Sequence, residues 1–179
     1  MAKGKGEKGK KAKKEKVKET DPGADVGRLH HNYLQRCQSI GIEGKNDLIS
    51  NFLLNEENLN RGYQILIGKQ NDEKDEISSL SIGPGNCRAL VEAILGQCQE
   101  GDSCVPFTAL KDLRIWGSSI GNNGAAVISK LLRTSGGQLN YLQLRDVKIG
   151  IYGAHVLGRS LCRGVSSSSF LTKLESAVT

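Results

Sequence analysis

At 179 residues the chain has room for one globular domain and a tail. Its formal charge is +6, but the stretch 1–18 alone carries nine Lys against two Glu, which leaves the rest of the chain close to neutral. No apolar run approaches a membrane span, and the five cysteines (Cys37, Cys87, Cys98, Cys104, Cys162) form no C-x-x-C pair, which speaks against a bilayer span and a thiolate metal knuckle.

The odd cysteine count and the lack of an apolar core near Met1 lead us to expect reduced thiols in a cytosolic compartment. Cys37 and Cys162, on apolar helix faces, are expected to fill core space. Residues 1–25 are Lys, Gly, Glu and Ala with almost no large apolar side chain, so they cannot offset their ordering entropy and are expected to be disordered. Lys8, Lys10, Lys11, Lys13, Lys14 and Lys16 form an electrostatic arm suited to an acidic polymer: nucleic acid, or the glutamate-rich tails of tubulin. The same composition also suits a nuclear import signal or a solvated spacer. Gly4 to Gly9 satisfies G-x-G-x-x-G, but a phosphate cradle needs a strand before it and a helix after it, and neither is predicted.

Val26, Leu29, Tyr33, Leu34 and Cys37 recur at helical spacing and predict a helix over 26–39. A second short helix is expected over Asp47–Leu54, giving a helical cap over residues 26–62. His30 and His31 on the first helix have no companion ligands at metal spacing and read as surface or helix-end residues. Tyr63–Gly68 predicts an extra strand, followed by a charged loop over Gln70–Glu76.

From residue 77 the pattern becomes periodic. Ile77, Leu80 and Ile82 match Leu110, Leu113 and Ile115 at an offset of 33, which predicts a degenerate first repeat with its helix over Cys87–Gln99. Leu110, Leu113, Ile115, Ile120, Gly121, Gly124, Ala125, Ile128 and Leu132 then recur at a constant offset of 29 as Leu139, Leu142, Leu144, Ile149, Gly150, Gly153, Ala154, Leu157 and Leu161. L-x-x-L-x-[LI] alternates like a short strand, and Ile128, Leu131 and Leu132 keep to one side of a helix. Asn122 is placed to cap that helix, whereas Ile151 at the same register offers the next helix no acceptor. Leu171-x-x-Leu174 opens one more unit, and the chain stops before its helix, which suggests a truncated or alternative product or a covered end.

L-x-x-L-x-[LI] followed by I-G-x-x-G-A and an apolar helix resembles the ribonuclease-inhibitor type of leucine-rich repeat. The resemblance covers two good repeats, a degenerate one before them and a truncated one after them. It implies an α/β fold: a short leucine-rich-repeat solenoid over residues 63–179, parallel sheet on the concave side and helices on the convex side. The N-terminal helical cap and disordered basic tail precede it. Two coincidentally similar βα units in an ordinary α/β domain would give the same local pattern. The family's usual Asn after each strand is replaced by Gly85, Ser118 and Val147, which implies that no side-chain ladder secures these turns.

A partner site follows from strand alternation. The residues between the leucines, Asp112, Arg114 and Trp116 on one strand and Tyr141, Gln143 and Arg145 on the next, should share the concave face. Trp116 and Arg145 are expected as neighbours in cation–π contact. Trp, Tyr and Arg dominate protein interfaces, so a protein partner is expected there, with a side chain shielded by the cap or tail as the alternative. No H-E-x-x-H, G-x-S-x-G or C-x-x-C occurs, and His155 reads as a helix-surface residue. No enzyme, cofactor, metal, membrane or small-molecule substrate is expected. The layout is similar to leucine-rich-repeat proteins of cilia and flagella, which implies a cytoplasmic, cytoskeletal setting; a nuclear, nucleic-acid-associated adaptor is the second expectation.

Overall fold

The structure, a computed structural model, describes residues 24–45, 62–68, 81–97, 105–134, 139–164 and 173–176. The expected disordered tail up to residue 23, with its lysines, and the expected helix at Asp47–Leu54 lie outside them, as do Ile77, Leu80, Cys98, Cys104 and Leu171.

The described residues form a mixed α/β fold in which every strand pairing is parallel. In chain order the elements are α1 (Val26–Ser39), β1 (Tyr63–Ile67), α2 (Pro84–Ile94), β2 (Leu110–Trp116), α3 (Gly121–Thr134), β3 (Tyr141–Arg145), α4 (Ile151–Gly164) and β4 (Lys173–Ser176). The sheet order β1-β2-β3-β4 follows the sequence, so each chain return adds a strand beside the last. The helices stack in the same order, α1 on α2, α2 on α3 and α3 on α4.

The periodicity of the sequence reappears as register. Leu113 pairs with Leu142 and Ile115 with Leu144, the partners that the offset of 29 assigns to them. These four side chains are buried with Ile128 and Leu131 of α3 and Leu157 of α4 in one apolar core. Leu174 takes its place beside Leu142, as the partial unit at the end of the chain predicts.

The first unit is built differently from its expected form. The strand beside β2 is Tyr63–Ile67, with Ile65 opposite Leu113 and Ile67 opposite Ile115, and not the segment ending at Ile82. Ile82 is instead buried just ahead of α2, where Ile82-Gly83 heads its helix as Ile120-Gly121 and Ile149-Gly150 head theirs. The helix then begins at Pro84, earlier than the expected Cys87, because Pro at the first turn needs no N–H partner and has its φ preset. It ends at Ile94 rather than Gln99, and Gly96 follows in the left-handed region at φ 65°.

The α1–α2 joint is polar as well as apolar. Asp25 caps α1 by accepting from the Arg28 backbone N–H at 3.1 Å. The buried Tyr33 hydroxyl accepts from the Lys45 backbone N–H and from Asn86 Nδ2, each at 3.2 Å. Burial, as the largest cause, pushes that hydroxyl up to about 12. Glu92 receives Arg36 Nε at 2.5 Å from α1 and Arg88 Nε at 3.0 Å from its own helix. Burial alone would raise the Glu92 carboxyl, but the two guanidinium groups outweigh it and hold it below its ordinary value.

The turns between strand and helix are secured more fully than Gly85, Ser118 and Val147 after the strands lead one to expect. Ser118 is buried; its hydroxyl accepts from the Ile82 backbone N–H at 3.2 Å and donates to the Trp116 carbonyl at 3.1 Å. The Gly117 N–H donates to the Arg145 carbonyl, and the Gly121 N–H to the Val147 carbonyl. Gly117 and Asp146, equivalent in the two units, are both left-handed, at φ 55° and 51°.

Asn122 reverses the expectation attached to it. It lies inside the first turn of α3, and its Oδ1 accepts from the backbone N–H groups of Gly150 and Gly153, at 3.0 and 3.1 Å. It therefore caps the following helix, α4, and supplies the acceptor that Ile151 lacks. Cys37 and Cys87 are buried, while Cys162 is exposed and fills no core space. Its register position is that of Arg133, also exposed, on the outer edge of its helix.

Candidate functional site

The six residues singled out on the strands come together on one face. Parallel pairing sets Asp112 beside Tyr141, Arg114 beside Gln143 and Trp116 beside Arg145. Because successive strand side chains point to opposite faces, burying the leucines beneath the helices puts these six on the other side of the sheet. Arg145 is exposed and the other five are half-buried.

Their contacts run diagonally between the strands. Arg114 forms a fork with Asp112, two residues back on the same strand, at 2.8 Å (Nη2–Oδ2) and 3.1 Å (Nε–Oδ1). The same guanidinium lies over the Tyr141 ring, 4.6 Å from its centroid. Trp116 Nε1 donates to Gln143 Oε1 at 3.0 Å. In both cross-strand contacts the β2 residue reaches two positions back along β3 from its direct partner. The expected cation–π pair is corrected accordingly: Trp116 and Arg145 are backbone neighbours, but the contact belongs to Arg114 and Tyr141.

β1 adds residues that sequence reasoning did not assign to this face. Gln64 and Leu66 pair with Asp112 and Arg114, so they extend it by one strand. The next residue, Gly68, sits at φ 90° so close to the Trp116 carbonyl that a Cβ there would collide with it. A glycine is required for the chain to leave β1 at that point. The signal was present in the sequence as Ile82-Gly83, which repeats the helix-heading pair and so puts its strand upstream of Ile82.

Chemically the face is polar and aromatic, with most of its side chains tied to one another. Its acid and one of its bases are paired with each other, and the aromatic rings and amide are held in place by charge and hydrogen bonds. Among the described residues no group of three or more His, Cys, Asp or Glu side chains is placed to hold a metal ion, and no helix is long and apolar enough to cross a membrane. His31 and His155 are exposed, while His30 is half-buried with its Nε2 enclosed and without a hydrogen-bond partner. In comparisons with known proteins, no family model and no curated protein matches this chain.

Proposed function

We propose that this chain is a short leucine-rich-repeat solenoid, and that it works as a non-enzymatic scaffold holding a protein partner on the polar face of its sheet. The observation that carries this reading is the contiguous set Asp112, Arg114, Trp116, Tyr141, Gln143 and Arg145 on one side of a parallel sheet whose other side is closed by helices. Pre-ordering by the Arg114 fork and the Trp116–Gln143 hydrogen bond lowers the entropy lost when a partner docks. Trp, Tyr and Arg are the side chains that most often carry interface energy.

The test is affinity recovery of partners with the full chain and with Trp116→Ala and Arg145→Ala, each first verified as folded by circular dichroism. Proteins recovered with the parent chain and lost with both variants support the face. Identical recovery would remove it.

A second reading rests on charge. The nine lysines of the stretch 1–18 form an arm for an acidic polymer, tubulin tails in a ciliary or cytoskeletal setting or nucleic acid in a nuclear one. Steeply salt-dependent polyanion binding that disappears on deletion of residues 1–18 supports it; binding that survives the deletion contradicts it.

A further inference from the structure

Among the six face residues one charge is left over. Asp112 is taken by the Arg114 fork, and the same guanidinium covers the Tyr141 ring. In the turn after β3, Asp146 and Lys148 pair with each other at 3.4 Å. β4 sets one Lys and one Glu in register with Tyr141 and Gln143, which adds no net charge. Arg145 is exposed, and its side chain makes no hydrogen bond or ion pair among the described residues. It stands on β3, an inner strand with β2 on one side and β4 on the other.

Beside this free guanidinium lies a fixed aromatic surface. Trp116 is the cross-strand partner of Arg145, and donation from its Nε1 to Gln143 at 3.0 Å holds the half-buried indole in place. Adjacent strands lie about 4.8 Å apart, so a group bound at Arg145 is within reach of the ring. A guanidinium binds a carboxylate through two parallel N–H bonds, and the alkyl stem of an acidic side chain can rest on an indole. A basic partner finds no untied carboxylate among the six residues. A nucleic acid fits poorly as well. Its backbone carries a charge at every nucleotide and gains affinity from several cations at once, where this set offers a single free one. Base stacking needs open rings, and Arg114 already covers Tyr141.

We infer that the sheet face takes a peptide segment anchored by a single Asp or Glu, its carboxylate bound by Arg145 and the adjoining part of the segment laid against Trp116. This rests on the reading of the face as a docking surface and adds the chemistry of what docks. The chain's own stretch 1–18, with nine Lys against two Glu, has the wrong net sign to be the occupant.

The experiment is selection of random heptapeptides displayed on phage, against the full chain and against Arg145→Glu. Selected peptides are then titrated into the isotopically labelled chain while the Trp116 indole N–H resonance is followed. Both forms of the chain keep the same Lys-rich stretch, so a difference between them reports on Arg145. The parent is expected to enrich peptides with one Asp or Glu at a common position, and these should shift the indole resonance. Arg145→Glu should bind them at least about tenfold more weakly and enrich Lys or Arg at that position instead. Arg145→Lys should fall between the two, because Lys keeps the charge but not the fork. Peptides that shift the resonance without a carboxylate, or that bind Arg145→Glu equally well, would overturn the inference and leave the docking face standing. If no selected peptide shifts the resonance, both fall. A short oligothymidylate that shifts it in the parent and not in Arg145→Glu would overturn the inference in favour of nucleic acid.

Discussion

The Oδ1 of Asn122 accepts two hydrogen bonds from the head of α4, from the backbone N–H groups of Gly150 and Gly153. One helix thus caps the next, and the spacing of the two units is held by a side chain as well as by apolar packing. Asn122→Ala leaves both N–H groups without this acceptor and should cost about 1 kcal/mol, read as a lowered urea midpoint. Asn122→Asp keeps an acceptor and adds a charge favourable at a helix N-terminus, so it should retain most of the stability. Equal losses in the two variants would argue against a capping role.

Gly153 is the other half of this contact. A Cβ at this position would lie 2.8 Å from Asn122 Oδ1, 2.8 Å from Ile149 Cγ2 and 2.9 Å from the Ala125 Cβ. Gly153→Ala should therefore destabilise by roughly 1–3 kcal/mol, although alanine is the better helix former. Thermal unfolding checks the sign: a raised midpoint would mean that α3 and α4 are not in this contact.

Much of this arrangement could be read from the chain itself, and the failures have physical causes. The period of 29 gave the paired strands, because two apolar residues on one face of each strand can be buried in only one register. The polar face followed from the same alternation. The cap that crosses from Asn122 to α4 is not legible in the spacing, because its donors, Gly150 and Gly153, lie a whole unit away and not in the same helix. The strand that pairs with β2 is Tyr63–Ile67, far upstream of Ile82-Gly83, and an offset of 33 from β2 does not reach it. The diagonal pairing of Arg114 with Tyr141 depends on side-chain reach, which spacing alone does not encode.

Glu92 makes the α1–α2 joint sensitive to acid. Its carboxyl is held below the ordinary value, so its contribution is fully present above an unfolded pKa of roughly 4.3 and is lost as pH falls through the folded value. Glu92→Gln should cost about 1–2 kcal/mol at neutral pH, and that cost should shrink in acid as the parent carboxylate protonates. Urea denaturation at the two pH values tests this. A cost that does not change with pH would mean that the carboxylate charge is not what Arg36 and Arg88 bind.

The thiols divide by burial. Burial pushes the Cys87 thiol up to about 12 and also raises Cys37, while Cys162 is exposed. Alkylation followed by peptide mapping should label Cys162 rapidly in the folded protein and leave Cys37 and Cys87 unlabelled until denaturant is added. Early labelling of Cys37 would place α1 off the core.

Lys148 occupies the left-handed region at φ 57°, where a Cβ is unfavourable, and its ion pair with Asp146 at 3.4 Å is exposed. Relief of backbone strain should therefore outweigh loss of the pair. Lys148→Gly should stabilise the protein by up to about 1 kcal/mol, seen as a raised unfolding midpoint. A lowered midpoint would mean that the turn is not left-handed there.

The register of β2 against β3 underlies both the repeat and the proposed docking face, and Trp116 reports on it directly. The chain has one Trp, so its indole N–H gives a single, unambiguous proton resonance. A nuclear Overhauser spectrum should connect that proton to the Gln143 side chain, and Gln143→Ala should shift it. An indole resonance with no connection to Gln143, and indifferent to that substitution, would contradict the parallel pairing on which the account stands.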